Sequence, residues 1–446
     1  MRIVILFAKA GGGHQSAAKA LKAQMLKQNP NLVIELIDIL TQTSQWQQDL
    51  FCASYVFFTD KVPLVWSFLQ ILWKIDLFAQ LTAIPLKIGI QKTLEKIIDS
   101  RPDKIICTYF LIDLWLNEIQ NSRQIPKESK EINEEIKTEL KNLNQSKIPI
   151  WTVVTDIFSP HSVWFLGKNC NYLVFSESAK LAAQNRGVLQ NKIAKFGVFF
   201  GEKFEKVGTK LEIENWKDNL LTAACDYTEN DYQNQNLPKN NLDLPEKIKN
   251  QRENSQTTLA EDSSNNSLNK LQIQTLLVVG GGESMPNGIP ILQNLLDLEI
   301  HFNLVFVCGR NENLRQKCQK IVQKWYKNNP KFHKNIQIIG FTKNLYELIN
   351  IADLVICKAG PATILELISQ QKPFLISHFI WEQEIGNRDF AVSGGVAIYE
   401  NNPKKLAQKV QELFYDKEKL DKLTKNYDNL QIQNDLTNIT KFLIQK

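Results

Sequence analysis

Short apolar runs alternate with longer amphipathic stretches through the first half of the chain. Residues 3–7 and 32–36 are apolar and of strand length, and residues 16–27 between them repeat apolar side chains at helical spacing. Further apolar runs of strand length follow at residues 104–107, 149–155 and 172–175. Strands that alternate with helices in this way predict a parallel α/β domain.

A second series of the same kind begins near residue 274. Its strand-length runs are residues 275–279, 303–307, 336–339, 354–356 and 373–376. Amphipathic stretches of helix length separate these runs, which predicts a second doubly wound sheet. A chain of 446 residues also exceeds what one hydrophobic core usually organises. We therefore expect an α/β protein with a first domain over 1–200, a junction over 201–272 and a second domain over 273–446.

Two polar segments interrupt this pattern. Residues 226–270 are crowded with Asn, Gln, Asp, Ser and Lys and nearly lack aliphatic side chains. Such a segment buries too little apolar surface to offset the entropy of ordering it, so we expect a disordered insertion that carries no chemistry. Residues 123–147 are rich in Lys, Glu and Asn, and we expect an exposed helix or a surface excursion there.

Large apolar side chains are concentrated in residues 46–90. They are Trp46, Phe51, Tyr55, Phe57, Phe58, Trp66, Phe68, Leu69, Leu72, Trp73, Leu77 and Phe78. Lys61, Lys74 and Lys87 are interspersed among them. Aromatic rings with lysines suit a bilayer interface, where the rings lie at headgroup depth and the ammonium groups meet lipid phosphates. Two ordinary buried helices of the first domain are the alternative.

Composition narrows the class of partner. The formal net charge of +6 is a mild basic excess, but no Lys/Arg stripe with interleaved aromatics is present, so we expect a membrane surface rather than nucleic acid. The seven cysteines are scattered and no His/Cys/carboxylate set has ligand spacing, so we expect no essential metal and no cofactor. The first apolar run is too short for a signal peptide, and none reaches the roughly 20 residues that span a bilayer. These features predict a cytoplasmic protein held peripherally at a membrane.

A glycine triplet and a histidine stand between the first predicted strand and the first predicted helix. Backbone N–H groups at such a turn, which includes Gly12 and Gly13, favour an anion or a developing oxyanion. At a helix N-terminus an imidazole is biased toward its neutral form, which can accept a proton from a hydroxyl. His14 is therefore a candidate general base, and capping of the loop is the alternative.

A second candidate group follows the apolar strand at residues 151–154. Asp156 lies at its carboxyl end, where open α/β sheets bind ligands, and can orient an acceptor hydroxyl or itself serve as the base. His161 lies one short loop later. It has two interpretations, a functional residue on the acceptor side or a satisfied turn residue.

Polar and glycine-rich motifs also follow the predicted strands of the second domain. In a turn such as 280–284, which contains Gly281, Gly282 and Glu283, small residues let backbone amides approach phosphate, although a tight turn explains them as well. A strand, a turn and a helix start at 358–366 can bind phosphate, and Glu366 can bind two ribose hydroxyls. Amide and carboxylate side chains after the next predicted strand can form hydrogen bonds with the hydroxyl groups of a sugar. The candidates in these last two motifs are Lys358, Ala359, Gly360, Pro361, Thr363, Glu366, Gln383, Glu384 and Asn387.

Seven motifs, taken in order, resemble those of the monogalactosyldiacylglycerol synthases and the related processive diacylglycerol glucosyltransferases. They are AGGGH at 10–14, TD at 155–156 with His161 and WF at 164–165, VGGGE at 279–283, VCGRN at 307–311, GFTK at 340–343, KAGP at 358–361 and QEIGN at 383–387. The resemblance covers nearly the whole chain except the two polar segments.

The resemblance implies the GT-B fold, in which two Rossmann-like domains face each other across a cleft. It implies a UDP-hexose bound mainly by the second domain, diacylglycerol entering beside the first, inversion at the anomeric carbon and a response to anionic membrane lipids. By position, His14 would be the base, alone or with an anionic headgroup. Gly309, Arg310 and Phe341 would line the nucleotide pocket, Glu366 would bind the ribose, and Gln383, Glu384 and Asn387 the hexose.

Two departures from the family pattern lie near the sugar and the phosphate. Glu382, preceded by Trp381, stands where the family tends to have glycine, and Ala362 stands where glycine is usual. Galactose and glucose therefore both remain open as the hexose. Three other functions remain as alternatives: an N-acetylglucosamine transferase acting on a polyprenyl-linked peptidoglycan precursor, a nucleotide-sugar epimerase, and a catalytically silent nucleotide-sugar-binding regulator.

Overall fold

The computed structural model describes ten stretches of the chain. They are residues 1–9, 13–48, 58, 62–124, 147–204, 206–217, 273–282, 285–329, 335–430 and 432–446. The predicted insertion at 226–270 and nearly all of the polar segment at 123–147 lie outside them. Gly12 and Glu283 also lie outside the described residues, as does part of the aromatic segment.

Six parallel strands form the first sheet, in the order β2-β1-β3-β4-β5-β6. They are β1 (Arg2–Phe7), β2 (Val33–Asp38), β3 (Lys104–Cys107), β4 (Ile150–Val153), β5 (Asn171–Val174) and β6 (Ile193–Lys195). Side chains of β1 alternate between two hydrophobic clusters, with Ile3 and Ile5 on one face and Val4 and Leu6 on the other. Burial on both faces explains why this strand is a continuous apolar run.

Helices cover both faces of the first sheet. They are α1 (Gly13–Gln28), α2 (Pro63–Leu72), α3 (Asp76–Asp99), α4 (Ile112–Gln124) and α5 (Glu177–Asn185). Leu21 of α1 packs into the cluster on one face, and Leu86 of α3 and Leu116 of α4 pack into the cluster on the other. The first domain is therefore a three-layer α/β sandwich.

The second sheet also has six parallel strands, in the order β12-β11-β10-β7-β8-β9. They are β7 (Thr275–Val279), β8 (Asn303–Val307), β9 (Ile336–Ile339), β10 (Leu354–Lys358), β11 (Phe374–His378) and β12 (Ala397–Tyr399). Its helices are α6 (Gly288–Leu296), α7 (Glu312–Asn328), α8 (Leu345–Ile351), α9 (Pro361–Ser369), α10 (Ile385–Ser393), α11 (Pro403–Tyr415), α12 (Lys417–Lys425) and α13 (Tyr427–Leu430). The two sheets confirm the predicted α/β class with two doubly wound domains.

The last helix, α14 (Leu436–Gln445), returns to the first domain. Leu436, Ile439 and Leu443 join the hydrophobic cluster that α1 forms on the first sheet. The amide of Gln28 on α1 donates to Thr440 Oγ1 at 2.8 Å. The ammonium of the buried Lys104 donates to the carbonyl oxygen of Leu443 near the helix C-terminus. The sequence analysis assigned this helix to the second domain, but it packs against the first.

Each sheet has one point where the strand order reverses. In the first sheet it lies between β1 and β3, and in the second between β7 and β10. Open α/β sheets bind ligands in the crevice beyond the carboxyl ends of the strands at such points. His14 lies in the first turn of α1, the helix that follows β1, and residues 359–360 follow β10, so both candidate motifs lie at these positions.

Helices α2 and α3 meet at a sharp bend. Among the described residues no single helix is long and apolar enough to cross a bilayer, and the pair of helices that passes together is bent by 109°. Trp66 is buried, whereas Phe68 and Leu77 are more than half exposed. The aromatic segment therefore combines buried anchors with an exposed apolar face.

Candidate active site

His14 lies in the first turn of α1. Its Nδ1 is 2.7 Å from the hydroxyl of Thr155 at the end of β4, and its backbone oxygen accepts a hydrogen bond from Thr108 after β3. The ring packs edge-on against Tyr109, with centroids 5.1 Å apart. Burial lowers the pKa of His14 to about 4, against a smaller opposing effect of Thr108. The imidazole is therefore neutral at pH 7.

The contacts of His14 leave one ring nitrogen for a substrate. When Nδ1–H donates to Thr155, the lone pair of Nε2 is free, and Nε2 has no hydrogen-bond partner among the residues that the structure describes. A neutral imidazole held through one nitrogen can accept a proton at the other. The geometry therefore suits the predicted general base.

Asp156 is buried at the same edge of the first sheet. Its Oδ2 accepts a hydrogen bond of 2.8 Å from the indole N–H of Trp164. Burial raises the pKa of Asp156 to about 7, the indole hydrogen bond opposes this shift, and the negative charge of Glu384 adds to it. Ser159, three residues after Asp156, accepts a hydrogen bond from the backbone N–H of Gly386, two residues after Glu384, so the two carboxyl groups lie near each other where the domains meet.

Both ring nitrogens of His161 form hydrogen bonds with backbone groups of the protein. Its Nδ1 accepts from the backbone N–H of Val163 at 3.2 Å, so its Nε2 carries the proton and donates to the carbonyl oxygen of Gln70 at 2.8 Å. The first contact caps the short helical turn Ser162–Phe165, and the second holds α2. Burial lowers the pKa of His161, which favours the neutral form. These contacts agree with the satisfied turn residue, the second of its two interpretations.

Loops after β7, β8 and β9 come together in the second domain. Gly281 and Gly309 have φ angles of +87° and +61°, which side chains rarely adopt. A Cβ atom on Gly309 would lie 2.7 Å from the carbonyl oxygen of Gly282. The guanidinium of Arg310 lies over the ring of Phe341, 4.5 Å from its centroid. The structure thus groups the residues predicted to line the nucleotide pocket.

The turn after β10 leads into the N-terminus of α9. Gly360 is the N-cap and Pro361 the first helical residue, a common start for a helix. The backbone N–H groups of this first turn suit an anionic phosphate. Thr363 is buried there, and Glu366 is half-buried one turn later. Burial raises the pKa of Glu366 to about 8.

Glu384 is directed into the protein. One carboxylate oxygen is 2.9 Å from Nζ of Lys358, and the other accepts from the backbone N–H of Ile380 at 2.8 Å. This side chain therefore joins the loop before α10 to the turn after β10. Gln383 beside it is only partly buried, and its amide has no hydrogen-bond partner among the described residues. Of Gln383 and Glu384, Gln383 is therefore the residue whose side chain remains available to a ligand.

Asn387 presents a second polar group at the same place. Its amide Nδ2 donates to the carbonyl oxygen of Ala359 at 2.9 Å. Its Oδ1 is buried and has no hydrogen-bond partner among the described residues. A buried acceptor without a partner is costly, so this atom is a candidate contact for a ligand hydroxyl.

Three contacts bring the two halves of the site together. Leu365 of α9 packs in the same cluster as Ala17 and Ala18 of α1. The backbone N–H of Gly386 donates to Ser159 Oγ at 2.9 Å. The rings of Phe158 and Phe390 stack with their centroids 4.0 Å apart. The predicted acceptor side and donor side therefore face each other where the two domains meet.

Sequence reasoning missed several residues that organise this site. Thr155 holds the ring of His14, a role that the TD motif at 155–156 did not indicate. Thr108 lies just beyond β3, at the strand-order reversal, where a polar residue after an apolar run was a usable signal. Ser159 carried no signal, because its role depends on the second domain. Among the described residues no group of three or more His, Cys, Asp or Glu side chains could hold a metal ion.

Comparison with known proteins agrees with this architecture. Residues 275–439 match the Glycosyltransferase family 28 C-terminal domain. The chain is 23% identical over 424 residues to the chloroplastic monogalactosyldiacylglycerol synthase of Spinacia oleracea, covering 93% of this chain. It is also 23% identical to monogalactosyldiacylglycerol synthase 1 of Arabidopsis thaliana, again over 93% of this chain. The alignments span 66% and 64% of those two proteins, slightly less than two thirds of their length.

Solved structures share the fold at low sequence identity. MurG of Acinetobacter baumannii superposes with a TM-score of 0.52 at 12% identity, covering 100% of both chains. Anabaena Alr3699/HepE, solved in complex with UDP, gives a TM-score of 0.50 at 11% identity and covers 100% of this chain and 99% of its own. The two sheets and these structural neighbours lead to one fold assignment. Residues 275–439 are similar to the family 28 C-terminal domain, and the fold of the chain is GT-B.

Proposed function

We propose that this protein transfers a hexose, galactose or glucose, from a UDP-hexose to the hydroxyl of diacylglycerol at a membrane surface. The observation that carries the proposal is the meeting of His14 and Asp156 with the donor loops of the second domain across one cleft. The relatives whose names state galactolipid synthesis support the acceptor and the sugar class. HepE, whose structure contains UDP, supports the nucleotide.

In this reaction the acceptor oxygen attacks the anomeric carbon, the bond to the diphosphate breaks, and UDP leaves with inversion. Nε2 of His14 accepts the hydroxyl proton, because its imidazole is neutral and Thr155 orients it. Lys358, Arg310 and the N-terminus of α9 supply positive charge and N–H donors for the departing diphosphate. We assign no metal ion to this step. The unpartnered Oδ1 of Asn387 and the amide of Gln383 would bind hexose hydroxyls.

The apolar face of α2 and α3 supports a lipid acceptor. Its exposed side chains recur every three or four residues within each helix, with a shorter step at the bend, and are Leu64, Phe68, Ile71, Ile75, Leu77, Leu81, Ile84 and Ile88. A continuous exposed face of this kind is unusual on a soluble surface and suits the boundary between headgroups and acyl chains. We therefore propose peripheral attachment to anionic membranes through this hairpin, defined as α2, α3 and the bend between them.

Vesicle binding tests the membrane part of the proposal. Leu81→Glu places a charge in the middle of the exposed face, where Leu81 is 54% exposed, and should weaken sedimentation with anionic vesicles by about tenfold or more. Leu211→Glu is the matched control, because Leu211 is 69% exposed and its segment packs beside the second domain. Equal vesicle binding by both variants and the wild type would exclude the hairpin as the attachment surface.

Product analysis tests the reaction itself. Purified protein is incubated with diacylglycerol vesicles and labelled UDP-galactose or UDP-glucose, and the lipid fraction is analysed for a glycolipid. His14→Ala should lower turnover by roughly 10²-fold or more, since a general base contributes on this scale. His301→Ala, at an exposed histidine before β8, is the control and should leave turnover unchanged. A fully active His14→Ala variant would remove the assignment of the base.

The pH profile separates the two candidate bases. If His14 must be neutral, kcat/KM should fall on the acid side only near pH 4, the lowered pKa of its imidazole. If ionised Asp156 is the base, the fall in kcat/KM on the acid side should instead lie near pH 7, the raised pKa of that carboxyl. We expect the first result. An acid limb at pH 7 that disappears in Asp156→Asn would transfer the role to Asp156.

The same assay separates the alternative functions. A polyprenyl-linked peptidoglycan precursor offered with UDP-N-acetylglucosamine would give product only with the rival transferase. Conversion of a nucleotide sugar without any lipid would indicate an epimerase. Binding of UDP with no product on any acceptor would indicate a catalytically silent regulator. The unusual Trp381-Glu382 pair is the one sequence feature that favours this alternative.

A further inference from the structure

A strained turn occupies the loop that carries Gln383. Glu382 has a φ of +65°, and the backbone N–H of Gln383 donates to the carbonyl oxygen of Trp381 at 2.8 Å. A three-residue hydrogen bond with positive φ at the central residue is a γ-turn of the rare, strained kind. Side chains other than glycine avoid this conformation, so the surrounding structure must hold Glu382 in it.

An ion pair between the two domains holds Glu382 in this conformation. The carboxylate of Glu382 lies 2.9 Å from Nζ of Lys74, which belongs to the bend between α2 and α3. Arg186 of the first domain braces that bend, because one guanidinium nitrogen donates to the carbonyl oxygen of Lys74 at 2.8 Å and another pairs with Asp76. The strained turn of the second domain is thus fixed to a supported position on the first.

The turn is closely linked to the donor side of the cleft. The backbone N–H of Glu384 donates to the carbonyl oxygen of Ile380, and the Glu384 carboxylate returns to the N–H of Ile380. The same carboxylate holds Lys358 beside the helix start that suits phosphate. Any displacement of Glu382 therefore moves Gln383 and strains the contact between Glu384 and Lys358.

We infer that Lys74 and Glu382 are positioning residues, which hold the loop 380–384 in the conformation that binds the hexose of the donor. Both side chains act through Gln383 and Glu384 and not by direct contact with the donor. This inference rests on the proposed function, and it assigns a role to the strained position of the loop. A glycine would adopt the turn without strain but could not link the two domains.

Donor kinetics test the pair. Because the ion pair is partly exposed, with 48% of the Lys74 side chain and 27% of the Glu382 side chain accessible, its loss should raise KM for UDP-hexose by about two- to fivefold. We expect this rise in Glu382→Gly and in Lys74→Glu, with kcat within about twofold of the wild type. The double variant Lys74→Glu, Glu382→Lys restores an ion pair of reversed polarity and should recover the wild-type KM.

Two controls separate positioning from folding. Lys87→Ala removes an ion pair with Glu118 inside the first domain, on the same helix α3, and should leave KM unchanged. Glu382→Gly relieves the positive φ and should keep the wild-type melting temperature, whereas Glu382→Ala keeps the strain without the pair and should melt lower. An unchanged KM in Glu382→Gly, or no recovery in the reversed pair, would overturn the inference.

Calorimetric titration with UDP-hexose in the absence of lipid makes the two proposals separable. If the wild type forms no glycolipid, the proposed function fails. A weaker affinity of Glu382→Gly for UDP-hexose, together with an unchanged affinity for UDP alone, would still support the positioning role. Equal affinities of the wild type and Glu382→Gly for UDP-hexose would refute that role even if glycolipid is made.

Discussion

Replacing Asp156 by asparagine should make the protein more stable at alkaline pH and less active. The carboxyl group is buried, and its pKa is raised from 3.8 to about 7. An asparagine has nearly the same shape, and its Oδ1 can still accept the indole N–H of Trp164. The variant therefore removes the ionisation and keeps the main contact.

The sign of the effect follows from the raised pKa. Because the folded protein binds this proton more tightly than the unfolded chain does, the stabilisation is complete below about pH 4 and is lost as the pH rises toward 7. Above pH 7 both states are ionised, and the buried charge costs about 4 kcal/mol at roughly 1.4 kcal/mol per pKa unit. This figure is an upper bound, since a local opening that admits water would reduce it.

Thermal unfolding at two pH values measures the effect. At pH 8 the asparagine variant should melt several degrees above the wild type, by up to about 10 °C. Near pH 4, where Asp156 is already protonated, the two proteins should melt together. In the glycolipid assay the variant should lose turnover by at least about tenfold, since the carboxyl would orient the acceptor hydroxyl.

A second buried carboxyl provides the control. Asp113 lies on α4 in the core of the first domain, and burial raises its pKa as well. Asp113→Asn should show the same sign of pH dependence in melting temperature without a change in turnover. Equal melting temperatures of Asp156→Asn and the wild type at pH 8 would refute the electrostatic reasoning. Full activity would refute the assignment of Asp156 to the site.

Two further variants test how the domains are joined. Gly386→Ala should lower kcat/KM by roughly tenfold or more in steady-state assays while circular dichroism stays unchanged, because the new Cβ would lie 2.6 Å from that of Ser159 and push the cleft open. Lys104→Met removes the donor to Leu443 and should destabilise the docked helix α14 by about 1–3 kcal/mol. Faster hydrogen exchange in 436–445 alone would confirm that contact, and unchanged exchange would contradict it.

The two sheets could be predicted from the sequence because their central strands, such as β1, β3, β7 and β8, are buried on both faces. Continuous aliphatic runs such as 275–279 leave few other structures open, and every predicted run contains a strand in the structure. The short β6 and β12 were missed, since each has only three residues, most of them only partly buried, and the pattern is correspondingly weak.

The position of α14 could not be predicted in the same way. Its apolar stripe, with Leu436, Ile439 and Leu443, shows that one face is buried but not which sheet buries it. Chain order favoured the second domain, whereas the contacts with α1 and Lys104 belong to the first. Amphipathic periodicity contains no information about the partner.

The polar residues show the same limit at the level of single side chains. Sequence position predicted His14 and Asp156 as site residues, because ligands of open α/β sheets bind beyond the carboxyl ends of the strands. It could not show that Glu384 turns toward Lys358, or that both nitrogens of His161 are used by backbone groups. Those outcomes depend on neighbours that are distant in sequence.

The return of α14 has a consequence for how the cleft moves. The chain passes between the domains once near residue 200 and again near 434, and these passages are hydrogen-bonded to each other through Asn434 and Phe200. Two linked passages of this kind are a candidate hinge for opening and closing of the two domains. The contacts of Ser159 with Gly386 and of Lys74 with Glu382 both join the domains, so we expect opening to break both of them. Loss of the second contact would release the strained turn at Glu382, so we expect domain opening and a change in the loop 380–384 to occur together.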